Sequence, residues 1–134
     1  MNDVVLNKAA SIERCLKRIR EVYNHNPDNL NDFTKQDSII LNIQRACEQC
    51  IDIAMHIVSE RKLGIPKSSR EAFKLMQDAG ILDEDLADRM MRMVGFRNTA
   101  VHAYQSLNLD ILKTIIERHL DDFRRFTQTA LKQQ

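Results

Sequence analysis

Helical periodicity runs through this chain with little to interrupt it. Val5, Ala9, Ile12, Leu16, Ile19 and Tyr23 recur at steps of three and four residues, the spacing that stacks side chains on one face of an α-helix. Leu112, Ile116, Leu120, Phe123, Phe126 and Ala130 repeat the pattern near the other end. Neither stretch alternates apolar and polar residues as a half-buried strand would. Three Gly and two Pro in 134 residues leave few places where a helix must stop. The pattern restricts the chain to an all-α fold. It is read as an up-and-down bundle of four long helices and one short one, a single domain over residues 1–134 with one core.

Punctuation between the stripes sets the element order. Asn24 to Asn29, with Pro27 inside, closes the first helix, and His25 there is expected to be an exposed loop residue. Thr34, with Asp37 three positions on, reads as the cap of a second helix over roughly 35–62. Its apolar positions run from Ile39 and Ile40 through Ile43, Ala46, Cys47, Cys50, Ile51 and Ala54 to Ile57 and Val58. So broad a stripe implies a central helix touching several neighbours. Gly64-Ile65-Pro66 stops it, and Ser68-Ser69-Arg70-Glu71 is a capping box opening a short third helix with Ala72, Phe73 and Met76 inward. Gly80 then serves as a C-terminal cap, Asp83 opens the fourth helix and Asn108 the last.

Composition excludes several function classes. A formal net charge of +1 rules out a globally basic nucleic-acid coat, so contact with nucleic acid must come from a local patch. Met1 to Leu6 lacks a basic region followed by an apolar core, which argues against a secretory leader. No apolar run approaches the ~20 residues of a membrane span. The three cysteines are read as reduced core thiols of a cytoplasmic protein. Cys47 and Cys50 have C-x-x-C spacing, but zinc needs two further ligands and a redox motif needs flanking strands. No metal or cofactor is expected. His119 is placed at a core boundary, and the six Met are taken as core and interface filler.

Chemistry concentrates in Gly95-Phe96-Arg97-Asn98-Thr99-Ala100-Val101-His102-Ala103-Tyr104. Met90, Val94, Arg97, Val101 and Tyr104 recur at helical steps, so a charged Arg sits on an apolar stripe and requires an anionic partner. At about 100° per residue, Arg97 and Tyr104 lie within about 20° of each other, because seven residues make nearly two turns. Asn98 and His102, four apart, form a second aligned pair in which the amide orients the imidazole. Gly95, inside the helix, leaves room for close approach by another backbone or a ligand. On the second helix, Arg45, Glu48, Asp52 and His56 share a polar face, read either as a solvated face or as a charged wall beside the site. Taken alone, the Arg-x4-His pair also fits an ordinary core helix.

The order Arg97, four residues, His102, one residue, Tyr104 resembles the signature of the HEPN superfamily of helical ribonucleases, and more narrowly the HepT-like toxins. The likeness extends to Ile43-Gln44-Arg45-Ala46-Cys47-Glu48, Ile51 to Ile57, Leu63 to Ser68 with Glu71 and Phe73, Gly80-Ile81-Leu82 and Met93-Val94-Gly95-Phe96. It spans about the whole chain. It implies a homodimeric, metal-independent endoribonuclease, the toxin of a type VII-like toxin–antitoxin pair. Arg97 and His102 would be catalytic, with Asn98 in support. The antitoxin would be an MntA-type minimal nucleotidyltransferase that silences the toxin by AMP transfer to Tyr104. Arg offers a fork matched to phosphate oxygens, and His suits proton transfer near neutrality. On one ideal helix these two lie about 140° apart, so a two-fold dimer is needed to bring both to one RNA phosphate. Met90, Met93 and Phe96 are the expected apolar part of that interface. The alternative is a non-catalytic HEPN module that binds RNA or nucleotide within a nucleotidyltransferase complex.

Overall fold

The computed structural model describes residues 3–133. Met1 and Asn2, on which the leader reading partly rests, lie outside the described residues. Six α-helices follow one another: α1 (Asp3–Tyr23), α2 (Phe33–Glu60), α3 (Ser69–Asp78), α4 (Glu84–His102), α5 (Leu109–Thr114) and α6 (Leu120–Leu131). A π turn, Ile115–His119, joins α5 to α6, so these two form the interrupted fourth long helix. No strand occurs among the described residues, and none of their helices is long and apolar enough to cross a membrane.

The stripes expected from the sequence are the buried faces. Every residue named for the first and last helices is buried, as are all ten named for α2. Ile53 is also fully buried, which widens the buried arc of α2 to about 160°. The helix packs against α1, α3, α4 and α6, the central position its broad stripe implies. Phe73 of α3 meets Phe126 of α6 edge-to-face, with ring centroids 5.4 Å apart. Cys15, Cys47 and Cys50 are free and buried among these side chains. His25 is exposed in the loop after α1.

Most caps stand where the sequence puts them. Ser68 Oγ accepts from Glu71 N–H at 3.2 Å while the Glu71 carboxylate returns to Lys67 N–H at 3.1 Å. Asp83 caps α4 and Asn108 caps α5, and Gly80 closes α3 at φ +78°. The start of α2 is a correction: Asp32, not Thr34, is its N-cap and accepts from Lys35 N–H at 3.0 Å. A 3-10 turn over Pro27–Asn31 delivers Asp32 in extended conformation, which moves the start two residues ahead of the expected one.

The larger correction concerns α4. It ends at His102, and Ala103 leaves helical geometry at φ −146°, ψ 48°. Tyr104 begins a separate 3-10 turn, Tyr104–Ser106. The shared face inferred for Arg97 and Tyr104 therefore does not exist. Met90, Met93 and Phe96 are also buried within the chain, at most 8% exposed. Their apolar surface is already used in this core, which leaves little of it to meet a partner copy.

Candidate active site

α4 carries Arg97 toward α2 and α3, and each nitrogen of its guanidinium meets an oxygen. Nε donates to Asn98 Oδ1 at 3.0 Å, Nη2 donates to Ser69 Oγ at 3.3 Å, and Nη1 lies 3.8 Å from Glu48 Oε2. The side chain is 23% exposed, so the fork is fixed in orientation yet open to solvent. Glu48 is the anionic partner that a charge on this stripe requires. Asn98 orients the arginine, whereas the sequence suggested that it orients His102. Ser69 is a residue that sequence reasoning missed: it lies inside the capping box but was given no role beyond the cap.

The charged wall of α2 divides among different neighbours. Glu48 faces Arg97, while Asp52 pairs with Lys8 of α1 at 3.1 Å and His56 with Glu60 at 3.2 Å. Arg45 is exposed. Of the four, the fold brings Glu48 alone to the motif arginine. Behind it, burial raises the Cys47 thiol above its ordinary range, against the pull of Arg97. That thiol is packing, not chemistry.

His102 stands exposed as the last residue of α4. Arg97 is turned between α2 and α3, and no contact joins the two side chains among the described residues. Gly95 does permit a close approach, and what approaches is the Arg70 guanidinium of α3. A Cβ at position 95 would stand 2.9 Å from Arg70 Nη2. Arg70 Nε also donates to Met91 O at 3.3 Å, which straps α3 to α4 one turn before the motif.

Tyr104 donates its phenol proton to Asp37, at the start of α2. Burial, followed by the hydrogen bond and charge of Asp37, pushes the phenol up to about 12. Asp37 is the second residue missed, since Thr34 claimed it as a capping partner. Glu48 is eleven residues further along α2, about 16 Å of helix rise. Tyr104 and Arg97 thus belong to two stations on one side of the chain. The first is a fixed guanidinium, the second a half-exposed phenol with a carboxylate at its oxygen.

These stations sit on a helical bundle of the kind the HEPN resemblance implies. The chain belongs to the ribonuclease HepT-like family, whose model matches residues 12–130. It is 52% identical to the mRNA nuclease HepT of Shewanella oneidensis over 94% of this chain and 95% of that one. Among solved structures, it is similar to the tri-AMPylated HEPN toxin of Shewanella oneidensis in complex with MNT antitoxin. That likeness has a TM-score of 0.93, with 49% identity and full coverage of both chains. A chain of a toxin–antitoxin complex with AMP-PNP matches with a TM-score of 0.94 and 48% identity, covering 99% of this chain and 100% of its own.

Proposed function

We propose that this chain is a toxin that cleaves RNA as a homodimeric, metal-independent endoribonuclease. An MntA-type nucleotidyltransferase antitoxin restrains it by AMP transfer to Tyr104. The observation that carries the reading is the Arg97 fork, held by Asn98, Ser69 and Glu48 in a chain 52% identical to an mRNA nuclease. Its working compartment is the cytoplasm, where RNA and the antitoxin are met.

The geometry supports the following roles. Glu48 makes the longest of the three contacts to Arg97, so an RNA phosphate can take its place on Nη1 and accept a charge-assisted hydrogen bond. As the phosphate becomes a phosphorane, Arg97 offsets its added charge. One His102 removes the proton of the 2′-OH as that oxygen attacks phosphorus. The P–O5′ bond breaks, and His102 of the second copy protonates the departing 5′-oxygen. A two-fold axis beside the end of α4 supplies this pair. Val101 and Leu109, 46% and 38% exposed, provide apolar surface there in place of Met90, Met93 and Phe96.

Restraint uses the second station. The Tyr104 oxygen attacks the α-phosphorus of ATP held by the antitoxin, pyrophosphate leaves, and Asp37 takes the phenol proton. The attached phosphodiester adds about one negative charge beside the RNA path and repels the incoming backbone.

The purified protein should cleave RNA in EDTA and scatter light as a dimer. His102→Ala should lower the rate by about 10²–10⁴-fold, and Arg97→Ala should lower it without loss of helicity. Undiminished cleavage by His102→Ala would sink the catalytic assignment.

A further inference from the structure

A groove of about 740 Å³ opens between α4 and the α5–π segment, lined on the α4 side by Arg92, Gly95 and Thr99. Steps of three, four and three residues carry this same stripe onward to His102. From Arg92 to His102 it rises about 15 Å along α4. Arg97 points elsewhere, about 140° around the helix from Arg92. Of the residues from Arg97 to Tyr104, Thr99 alone lines the groove, and His102 stands exposed beyond it, at the end of the same α4 stripe.

The ionic lining is uneven. At the deep end Arg89 is matched by Asp85 at 3.1 Å and by the buried Asp122 at 3.4 Å, and His119 also meets Asp122, at 3.2 Å. That end is electrostatically satisfied. Nearer His102, Arg92 and Arg70 are exposed and meet no carboxylate among the described residues; Arg70 donates only to a backbone oxygen, Met91 O. Of the two carboxylates lining the groove, Asp122 is taken by Arg89 and Asp110 stands on the facing rim. Between these charges Leu107 and Ile111 form an apolar ledge over the buried Phe96, with Ile111 56% exposed. The π turn shapes the far wall by presenting Ile115 and His119. Guanidiniums along one side of a trough with an apolar floor match what a single nucleic-acid strand requires. A second copy of this chain would instead have to bury two arginines that lack a carboxylate, at a high desolvation cost.

We propose that this groove is the track on which single-stranded RNA lies as it approaches His102, with Arg92 and Arg70 on its phosphates and the apolar ledge beneath its bases. The inference rests on the ribonuclease reading above. It assigns substrate grip to residues outside the motif and gives the strand a direction along α4.

The test uses the full chain in a His102→Ala background, which keeps the RNA intact, and a fluorescein-labelled single-stranded RNA as probe. Binding is followed by anisotropy across a salt series. Arg70→Ala/Arg92→Ala should weaken binding and flatten the slope of log K against log salt by about 1.4, two phosphates at about 0.7 each. Arg70→Lys/Arg92→Lys should hold the slope close to that of the parent, since a charge remains at each position. Unchanged affinity and slope in the alanine variant, while the native chain cleaves RNA, would overturn the track and leave the ribonuclease reading standing. Unchanged RNA binding with a loss of dimer mass in the alanine variant would assign the groove to self-association and overturn the track. Absence of both cleavage by the native chain and binding by the parent would remove the ribonuclease reading and the track together.

Discussion

Two tyrosines near the junction of α1 and α2 make the same bond to opposite effect. Tyr23, the last residue of α1, donates to Glu117 in the π turn, and Tyr104, just beyond α4, donates to Asp37 of α2. Both phenols are pushed up to about 12, by burial first and by the carboxylate second. Their exposure separates them: Tyr23 is 5% exposed and Tyr104 40%. With its ring buried, Tyr23 bonds the exposed Glu117 and ties the end of α1 to the π turn. With solvent admitted, the same pair leaves a nucleophilic oxygen within reach of another protein and keeps an acceptor for its proton at hand. Placement relative to the core, not the chemistry of the pair, separates a latch from a handle.

The comparison breaks most sharply at the exposed tyrosine. Tyr104→Phe should abolish AMP uptake at that position when the protein is incubated with antitoxin and ATP, as read by intact mass. Its RNA cleavage should remain resistant to silencing. Asp37→Asn keeps the phenol but lacks the proton acceptor, and should slow AMP gain by about 10²-fold. The mirrored change at the partner of Tyr23, Glu117→Gln, should leave that rate alone. Equal rates for Asp37→Asn and the native chain would reduce Asp37 to a structural partner.

Stability should respond in the reverse sense. Phe123 is completely buried, and Phe123→Ala should cost about 3–5 kcal/mol in denaturant unfolding. Tyr104→Phe, at the rim, should stay within about 0.5 kcal/mol of the native chain. A rim variant that unfolds as readily as the core variant would erase the distinction between the two regions.

The smallest effect is a pH dependence. A tyrosine whose folded value lies above its ordinary value near 10 contributes stability that is fully present below pH 10. That stability is lost as pH rises from about 10 through about 12. Urea midpoints should fall over this window, and Tyr23→Phe should flatten the fall. Tyr104 contributes in the same direction but less, because solvent screens an exposed pair.

Much of this fold is legible in the sequence because burial on a helix has a period. The faces of α1, α2 and α6 follow from Val5 to Tyr23, Ile39 to Val58 and Phe123 to Ala130, and the caps at Ser68, Asp83 and Asn108 from local chemistry. What escaped depends on contacts between distant segments. No Gly or Pro lies between His102 and Asn108, so nothing local announces that α4 ends before Tyr104. The bond from Tyr104 to Asp37 accompanies that break, and it spans 67 positions. Ser69 reaches Arg97 across 28 positions, a contact that no single helix pattern contains. Met90, Met93 and Phe96 pack in the core of their own chain, and apolar residues beside a motif look the same in sequence whether they face another copy or their own core. The π turn likewise has no local signature: the stripe from Leu112 through Ile116 to Leu120 runs across it unbroken.

The three thiols give the molecule a use that none of its chemistry requires. Burial holds Cys15, Cys47 and Cys50 above the ordinary range of a thiol, and only the thiolate reacts readily. Alkylating reagents in native buffer therefore wait for the helices to part, and labelling rates become a clock for opening of the α1–α2 core. A cysteine introduced at an exposed position would react well ahead of all three. Dyes or spin labels can thus be attached singly to this protein without removing a native residue.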